Sequence, residues 1–295
     1  MELLHYCYVE GLAKLKLINP ELKLLFSVSD RNSAMTKVVA NETLRKTFKE
    51  NAYNLVKTFN YDGIDLDWEF PKEKDKENFV ILLSELKIEF TKHDYLVTAA
   101  VRAIPIYKDT GYNVPEMSKY LDIINVMTYD FYGSWSKTTG QNSPLYSSSL
   151  DSAYERKYLN INASINNWVD AGAPKNILAM GLPFYGRTFT LKNASDHGIH
   201  APSSGGGRPL APTYYQILSN YQNFTTEWNE EQKAPYKYSG TTWLGYEDER
   251  SIIMKVKYAV DNQLFGVFLW HLGCDDVHGE FSDKKQTLVQ TINDA

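Results

Sequence analysis

Residues 61 to 71 read YDGIDLDWEFP, and this stretch constrains the fold more than any other. Asp65, Asp67 and Glu69 alternate with Ile64, Leu66 and Trp68. A period of two is the pattern of a β-strand, whose successive side chains leave on opposite faces. One face is then hydrocarbon and the other carries three carboxylates. An edge strand lying in solvent would not need Ile, Leu and Trp in such regular alternation, and a hard-cation loop would set glycine turns between its acids. The pattern therefore predicts a strand with a buried apolar face and an acidic face that lines an interior. Carboxylates two residues apart in a site of low dielectric raise at least one pKa among them, so one shared proton is expected along the row.

Similar runs recur along the chain. LKLLFSVS (23–30 region), YLVTAAV, DIINVMTYDF, ILAMGLPFYG and LFGVFLWHL read as strands. TLRKTFKENAYNLVKTF and ENFVILLSELKIEFTKH read as amphipathic helices between them. Alternating strands and helices predict an α/β fold with a parallel sheet, and in a (β/α)8 TIM-type barrel the polar strand ends face the active site. At 295 residues and 43% hydrophobic, the chain is long enough to bury such a core. The stretch from about Thr188 to Tyr246, with SSGGGRP and clustered tyrosines, breaks the rhythm. It is expected as an insertion at 188–246, between barrel segments 1–187 and 247–295. The glycines at 205–207 are followed by no Lys-Ser/Thr, so a flexible loop is expected there rather than a phosphate loop.

The formal net charge of -5 and the absence of a long Lys/Arg cluster argue against nucleic acid as a partner. No run reaches transmembrane length, so no membrane span is expected. The opening MELLHYCYVEGLA lacks the basic start and unbroken apolar stretch of a signal peptide. Two cysteines, Cys7 and Cys274, allow at most one disulfide. Asn41, Asn162, Asn193 and Asn223 begin sequons that a secretory lumen would read. His197 and His200 stand three apart, with no third ligand nearby in sequence, so zinc is not expected. Cys274, Asp275, Asp276 and His278 are read as structural, so neither metal nor cofactor is expected.

DGIDLDWEFP is similar to the Asp-Gly-x-Asp-x-Asp-x-Glu signature of family-18 glycoside hydrolases, the chitinases. MTYDFYGSW (127–135), TGQNSPLY (139–146), GLPFYGRTFTL (181–191) and GVFLWHLGCDD (266–276) resemble further family segments in the family's order. The resemblance runs from about Gly11 to near the end of the chain. It implies hydrolysis of chitin, a β-1,4-linked N-acetylglucosamine polymer, in which the substrate's own acetamide attacks the anomeric carbon. By the same matching, Glu69 is the acid/base, Asp67 holds the acetamide NH, Asp65 governs Asp67, and Tyr129 aims the acetamide carbonyl. Trp270 is the expected stacking floor, and Met127, Asp130, Trp135, Tyr185 and Arg187 are expected to bind substrate. Chitin or chitooligosaccharide is the implied partner, and an extracellular location is implied by the family. The resemblance makes the insertion at 188–246 a small α+β insertion lobe, and this lobe with the GSW segment favours a chitinase over cleavage of the chitobiose core of N-glycans. Two departures stand out. Only LLHYCYV is available for the family's first strands, so an N-terminally incomplete barrel is expected. Ser29, Asp30 and Arg31 occupy the family's Gly-Gly-Trp segment, which removes a distal stacking platform. A non-catalytic chitooligosaccharide-binding lectin, or an inactive scaffold, is the alternative reading.

Overall fold

The structure, a computed structural model, describes residues 11–30, 33–105 and 110–295. The LLHYCYV segment, Cys7 and Arg31 lie outside the described residues. By contacts the chain divides into two units, residues 1–125 with 170–177, and residues 126–169 with 178–295.

In the first unit, β1 (Leu25–Asp30) leads into α1 (Ala34–Val39) and α2 (Glu42–Thr58). Asn41 starts α2 by accepting the Leu44 N–H on its side chain, which satisfies one of the first-turn donors a helix leaves open. β2 (Gly63–Trp68), α3 (Lys76–Phe90), β3 (Leu96–Arg102) and the short α4 (Val114–Met117) follow, and then β4 (Ile123–Met127), whose first three residues close this unit. The strand order is β1-β2-β3-β4, with β1, β2 and β3 parallel. Asp65 lies opposite Ser27 and Thr98, and Leu66 opposite Val28 and Ala99. Ile64, Leu66 and Trp68 are all buried. Trp68 meets Phe79 of α3 edge-on at 5.4 Å. Phe79, Leu82, Leu83, Leu86 and Phe90 form the buried stripe of that helix, at the spacing of one helical face.

The second unit holds the end of β4, α5 (Ala153–Tyr158) and most of α6 (Ile161–Asp170). β5 (Leu178–Pro183) comes next, and the sheet order here is β4-β5-β11, with β11 at Gly266–Trp270. Between β5 and β11 the chain forms β6 (Arg187–Leu191), β7 (Ser203–Gly206), α7 (Tyr214–Asn220), β8 (Thr225–Asn229), β9 (Ala234–Ser239) and β10 (Thr242–Gly245). These strands make a five-stranded sheet in the order β7-β6-β10-β9-β8, antiparallel throughout. α8 (Glu249–Asp261), β11 (Gly266–Trp270) and α9 (Thr287–Asp294) complete the chain. The segment expected as a loop at 205–207 is a correction. Gly206 pairs with Phe189 as the end of β7, and the Gly207 N–H bonds the Thr188 carbonyl at 3.1 Å. A Cβ on Gly206 would come within 2.7 Å of Ser134, so glycine serves close packing there rather than looseness.

Candidate functional site

The acidic row of the first unit stands on the face of β2 opposite Ile64, Leu66 and Trp68. Asp65 is its anchored member. Its carboxylate accepts from the Ser27 hydroxyl at 2.9 Å, the Thr98 hydroxyl at 2.6 Å and the Asn125 amide at 3.2 Å. Three donors from β1, β3 and β4 thus converge on one side chain and fix where the row points. Asp67 is buried, with 8% of its surface exposed. Glu69 follows the last residue of β2, is half-buried, and donates its N–H to the Asp30 carbonyl at 3.0 Å. The Glu69–Phe70 and Trp270–His271 peptides are cis. Asp62, the remaining carboxylate of the stretch, sits at the other end of β2, where it pairs with Lys16 at 2.7 Å and accepts the Leu24 N–H. It belongs to the scaffold.

Tyr112 is a member of this environment that the motif did not reveal. Burial pushes its hydroxyl pKa up, and the charges of Asp67 and Glu69 add to the shift, so the hydroxyl lies within their field. The hydroxyl accepts the Arg102 N–H at 3.3 Å, and the Arg102 guanidinium covers the Phe70 ring at 4.3 Å. The only sequence signal for Tyr112 is an aromatic after glycine in DTGYNV, which is too common to single it out. Asp30 does structural work. Its carboxylate accepts the Met35 N–H at 2.8 Å at the start of α1.

In the second unit a separate group gathers around Asp130. Its Oδ1 accepts from the Tyr185 hydroxyl at 2.9 Å and from Arg187 Nε at 2.8 Å and Nη2 at 2.5 Å. Burial, and then the Asp130 charge, hold the Tyr185 hydroxyl well above its usual pKa, so it stays protonated and donates. Arg187 lies over the rings of Trp135 at 5.1 Å and Tyr185 at 5.2 Å, a stacking that suits the planar guanidinium. Trp135 is 58% exposed, an indole face turned to solvent. Asn142 holds this group from below. Its amide oxygen accepts the Asp130 N–H at 3.0 Å, and its amide nitrogen donates to the Tyr185 carbonyl at 3.0 Å.

Tyr129 stands edge-on to Tyr185 and to Phe268, each at 6.1 Å. Phe268 is a second residue that sequence reasoning missed, although it precedes Trp270 by two on the same strand face. Trp270, at the end of β11, is 50% exposed. Met127 is half-buried at the end of β4. His197 and His200 go separate ways. His197 stacks on Tyr238 at 3.7 Å, whereas His200 pairs with Asp151 at 2.8 Å. Asp275 and Asp276 are tied up in backbone bonds. Asp275 accepts the N–H groups of Leu288 and Val289, and Asp276 those of Glu280 and Phe281.

A family model described as glycosyl hydrolases family 18 matches residues 5–275. Chitotriosidase-1 of Mus musculus is 36% identical over 96% of this chain and 66% of its own length. The chain therefore spans just under two thirds of that relative. The group IV chitinase of Ostrinia furnacalis, solved in complex with allosamidin, superposes with a TM-score of 0.92 at 34% identity, over 97% of this chain and 82% of that one. Human YKL-39, a pseudo-chitinase with retained chitooligosaccharide binding, gives 0.92 at 30% identity, over 98% and 85%. The parallel sheet with its helices is thus an α/β fold of the TIM type that these proteins share.

Proposed function

This chain belongs to glycosyl hydrolases family 18, and from that premise we propose that it hydrolyses β-1,4-linked N-acetylglucosamine chains with retention of configuration, using the substrate's acetamide as nucleophile. The observation that carries this reading is the acidic row on β2, with Asp65 fixed by donors from three neighbouring strands and Glu69 half-buried at the strand's carboxyl end.

In the proposed chemistry, Glu69 gives its proton to the glycosidic oxygen as the acetamide carbonyl oxygen bonds the anomeric carbon. The leaving sugar departs and an oxazolinium ion remains. The Glu69 carboxylate then takes a proton from water, which opens the ring ion from the face the leaving group vacated. Asp67 accepts the acetamide N–H and offsets the positive charge, an interaction strongest in the transition state. Asp65 supplies the adjacent charge that governs Asp67. Tyr129 offers its hydroxyl to the acetamide carbonyl. Asp130, Tyr185 and Arg187 form a polar set for sugar hydroxyls, and Trp270, Trp135 and Met127 offer apolar surface to sugar faces. We read residues 188–246 as the lobe that deepens the groove, and the protein as extracellular. Among the described residues no helix is long and apolar enough to cross a membrane.

The likeness to a pseudo-chitinase supports a second reading, a lectin for chitooligosaccharides. The two are separated by a chromogenic chitotriose substrate and by calorimetric binding of chitotetraose, using the chain and its Glu69→Gln variant. Turnover by the chain, lost in the variant while binding persists, supports the enzyme. Binding without turnover in both supports the lectin, and no binding in either overturns both.

A further inference from the structure

The connection from β6 to β7 is fastened onto the chain around Thr139. The His200 N–H donates to the Thr139 carbonyl at 3.1 Å, the Thr139 N–H to the Ala201 carbonyl at 2.9 Å, and the Thr139 hydroxyl to the Gly198 carbonyl at 2.7 Å. His200 has φ 64°, the left-handed region that costs a residue with a Cβ about 1 kcal/mol or more. Its side chain offsets that strain. Nε2 lies 2.8 Å from Asp151 Oδ1, and Nδ1 lies 4.0 Å from Glu155 Oε1. Asp151 is buried, and its other oxygen accepts the Ser148 N–H at 2.8 Å.

Tyr132 and Arg156 also border this cluster. Arg156 donates to the backbone carbonyl of Asp151. The Tyr132 ring stands edge-on to His200 at 6.0 Å, and a Cβ on Gly140 would approach that ring to 2.3 Å, so the ring is gripped on two sides. Burial pushes the Tyr132 pKa up, and the charges of Asp151 and Glu155 add to it, which places the hydroxyl on their side. Ligand atoms of Asp151, Glu155 and His200 fall within 4.8 Å of one another, a spacing that would also suit a cation. The 2.8 Å contact between Nε2 and Oδ1 is a hydrogen bond that already satisfies both atoms, and it favours a proton in that place.

Two routes lead from this cluster to Asp130. Tyr132 follows Asp130 by two residues, and Thr139 precedes by three the Asn142 that holds the Asp130 N–H and the Tyr185 carbonyl. We infer that His200 is a positioning residue: as an imidazolium it clasps Asp151 and Glu155, and through Thr139 and Tyr132 it holds the segment that presents Asp130, Tyr185 and Arg187 to a saccharide. The inference rests on the saccharide-binding role proposed above for that segment. The hydrogen bond to Asp151 chiefly, and the Glu155 charge after it, raise the His200 pKa above its ordinary 6.5. A raised cation pKa means that the clasp's stabilisation is complete below about pH 6.5 and is lost as pH climbs through the folded-state value.

The test combines proton NMR titration of the imidazoles, thermal unfolding, and calorimetric binding of chitotetraose at about pH 6 and about pH 9. His200→Gln and His200→Asn are the variants, the second chosen because Asn accepts the left-handed conformation more readily. The expected results are a His200 titration above the ordinary histidine value, binding by the unaltered chain that weakens several-fold at the higher pH, and variants whose binding changes little with pH. A His200 that titrates at or below its ordinary value overturns the clasp, as do variants that keep the full pH dependence. If the unaltered chain binds no chitotetraose at either pH, the functional reading and the positioning role fall together. A raised titration, with melting that falls toward alkaline pH only when His200 is present, would still support the clasp itself.

Discussion

Asp65 bears on stability, because the Ser27 and Thr98 hydroxyls and the Asn125 amide all end on its carboxylate. Thr98 is buried, so removing the acceptor leaves its hydroxyl without a partner inside the protein. Asp65→Ala is expected to cost about 1–3 kcal/mol of folding stability, read from the midpoint of urea unfolding. Asp65→Asn keeps an acceptor oxygen, so it should lose activity by a larger factor than it loses stability. Tyr185→Phe removes one of the donors to Asp130 and leaves Arg187 in place. About 1 kcal/mol or less of stability should go, with KM for a chitooligosaccharide rising more than kcat falls. The acids at 65, 67 and 69 were legible because alternation alone assigns them a face. Their partners were not. Thr98 is 33 residues from Asp65 and Asn125 is 60, and only the register between strands brings them together. The pairing of His200 with Asp151 was hidden because 49 residues separate them and both stand outside the strands.

Elements built on one strong period were readable from the chain. The alternation of β2 and the apolar runs of β3 and β5 fix their extent, and α3 shows its five-residue buried stripe directly. Strands β6 to β10 were not resolved individually, because each is four to six residues long and several carry Gly or Pro where alternation would be sought. Close approach between elements is also invisible in sequence. Gly181 of β5 illustrates it: a Cβ there would come within 2.8 Å of the Tyr129 ring, 2.9 Å of the Phe268 ring and 2.9 Å of the Val126 carbonyl. Gly181→Ala should therefore displace Tyr129, lower kcat on a chromogenic chitooligosaccharide and depress Tm, whereas Gly266→Ala on β11, where no heavy atom lies within 4 Å, should leave both nearly unchanged.

At the scale of the whole molecule, long-range tethers matter more than any one helix. Lys255 of α8 and Glu247 form a fully buried ion pair at 2.5 Å, and the ammonium also bonds the Ser143 carbonyl, 112 residues away in sequence. Burial pushes the lysine pKa down, and the glutamate charge opposes that shift. Lys255→Met would leave Glu247 buried without its cation and should cost about 3–5 kcal/mol, seen as a large fall in Tm. The boundaries between the two units were not legible, because they fall inside β4, inside α6 and at the start of β5, and no linker or change of composition marks them. The alternation of β2 also bears on folding. If that strand slipped by a single residue against its neighbours during folding, Asp65 and Asp67 would be driven into the hydrocarbon beneath and Ile64, Leu66 and Trp68 would be pushed out. Buried charge would penalise such misaligned pairings so heavily that the row of acids should act as a proofreader of assembly, and the alignment that survives is the one that sets Asp65 and Asp67 on one face.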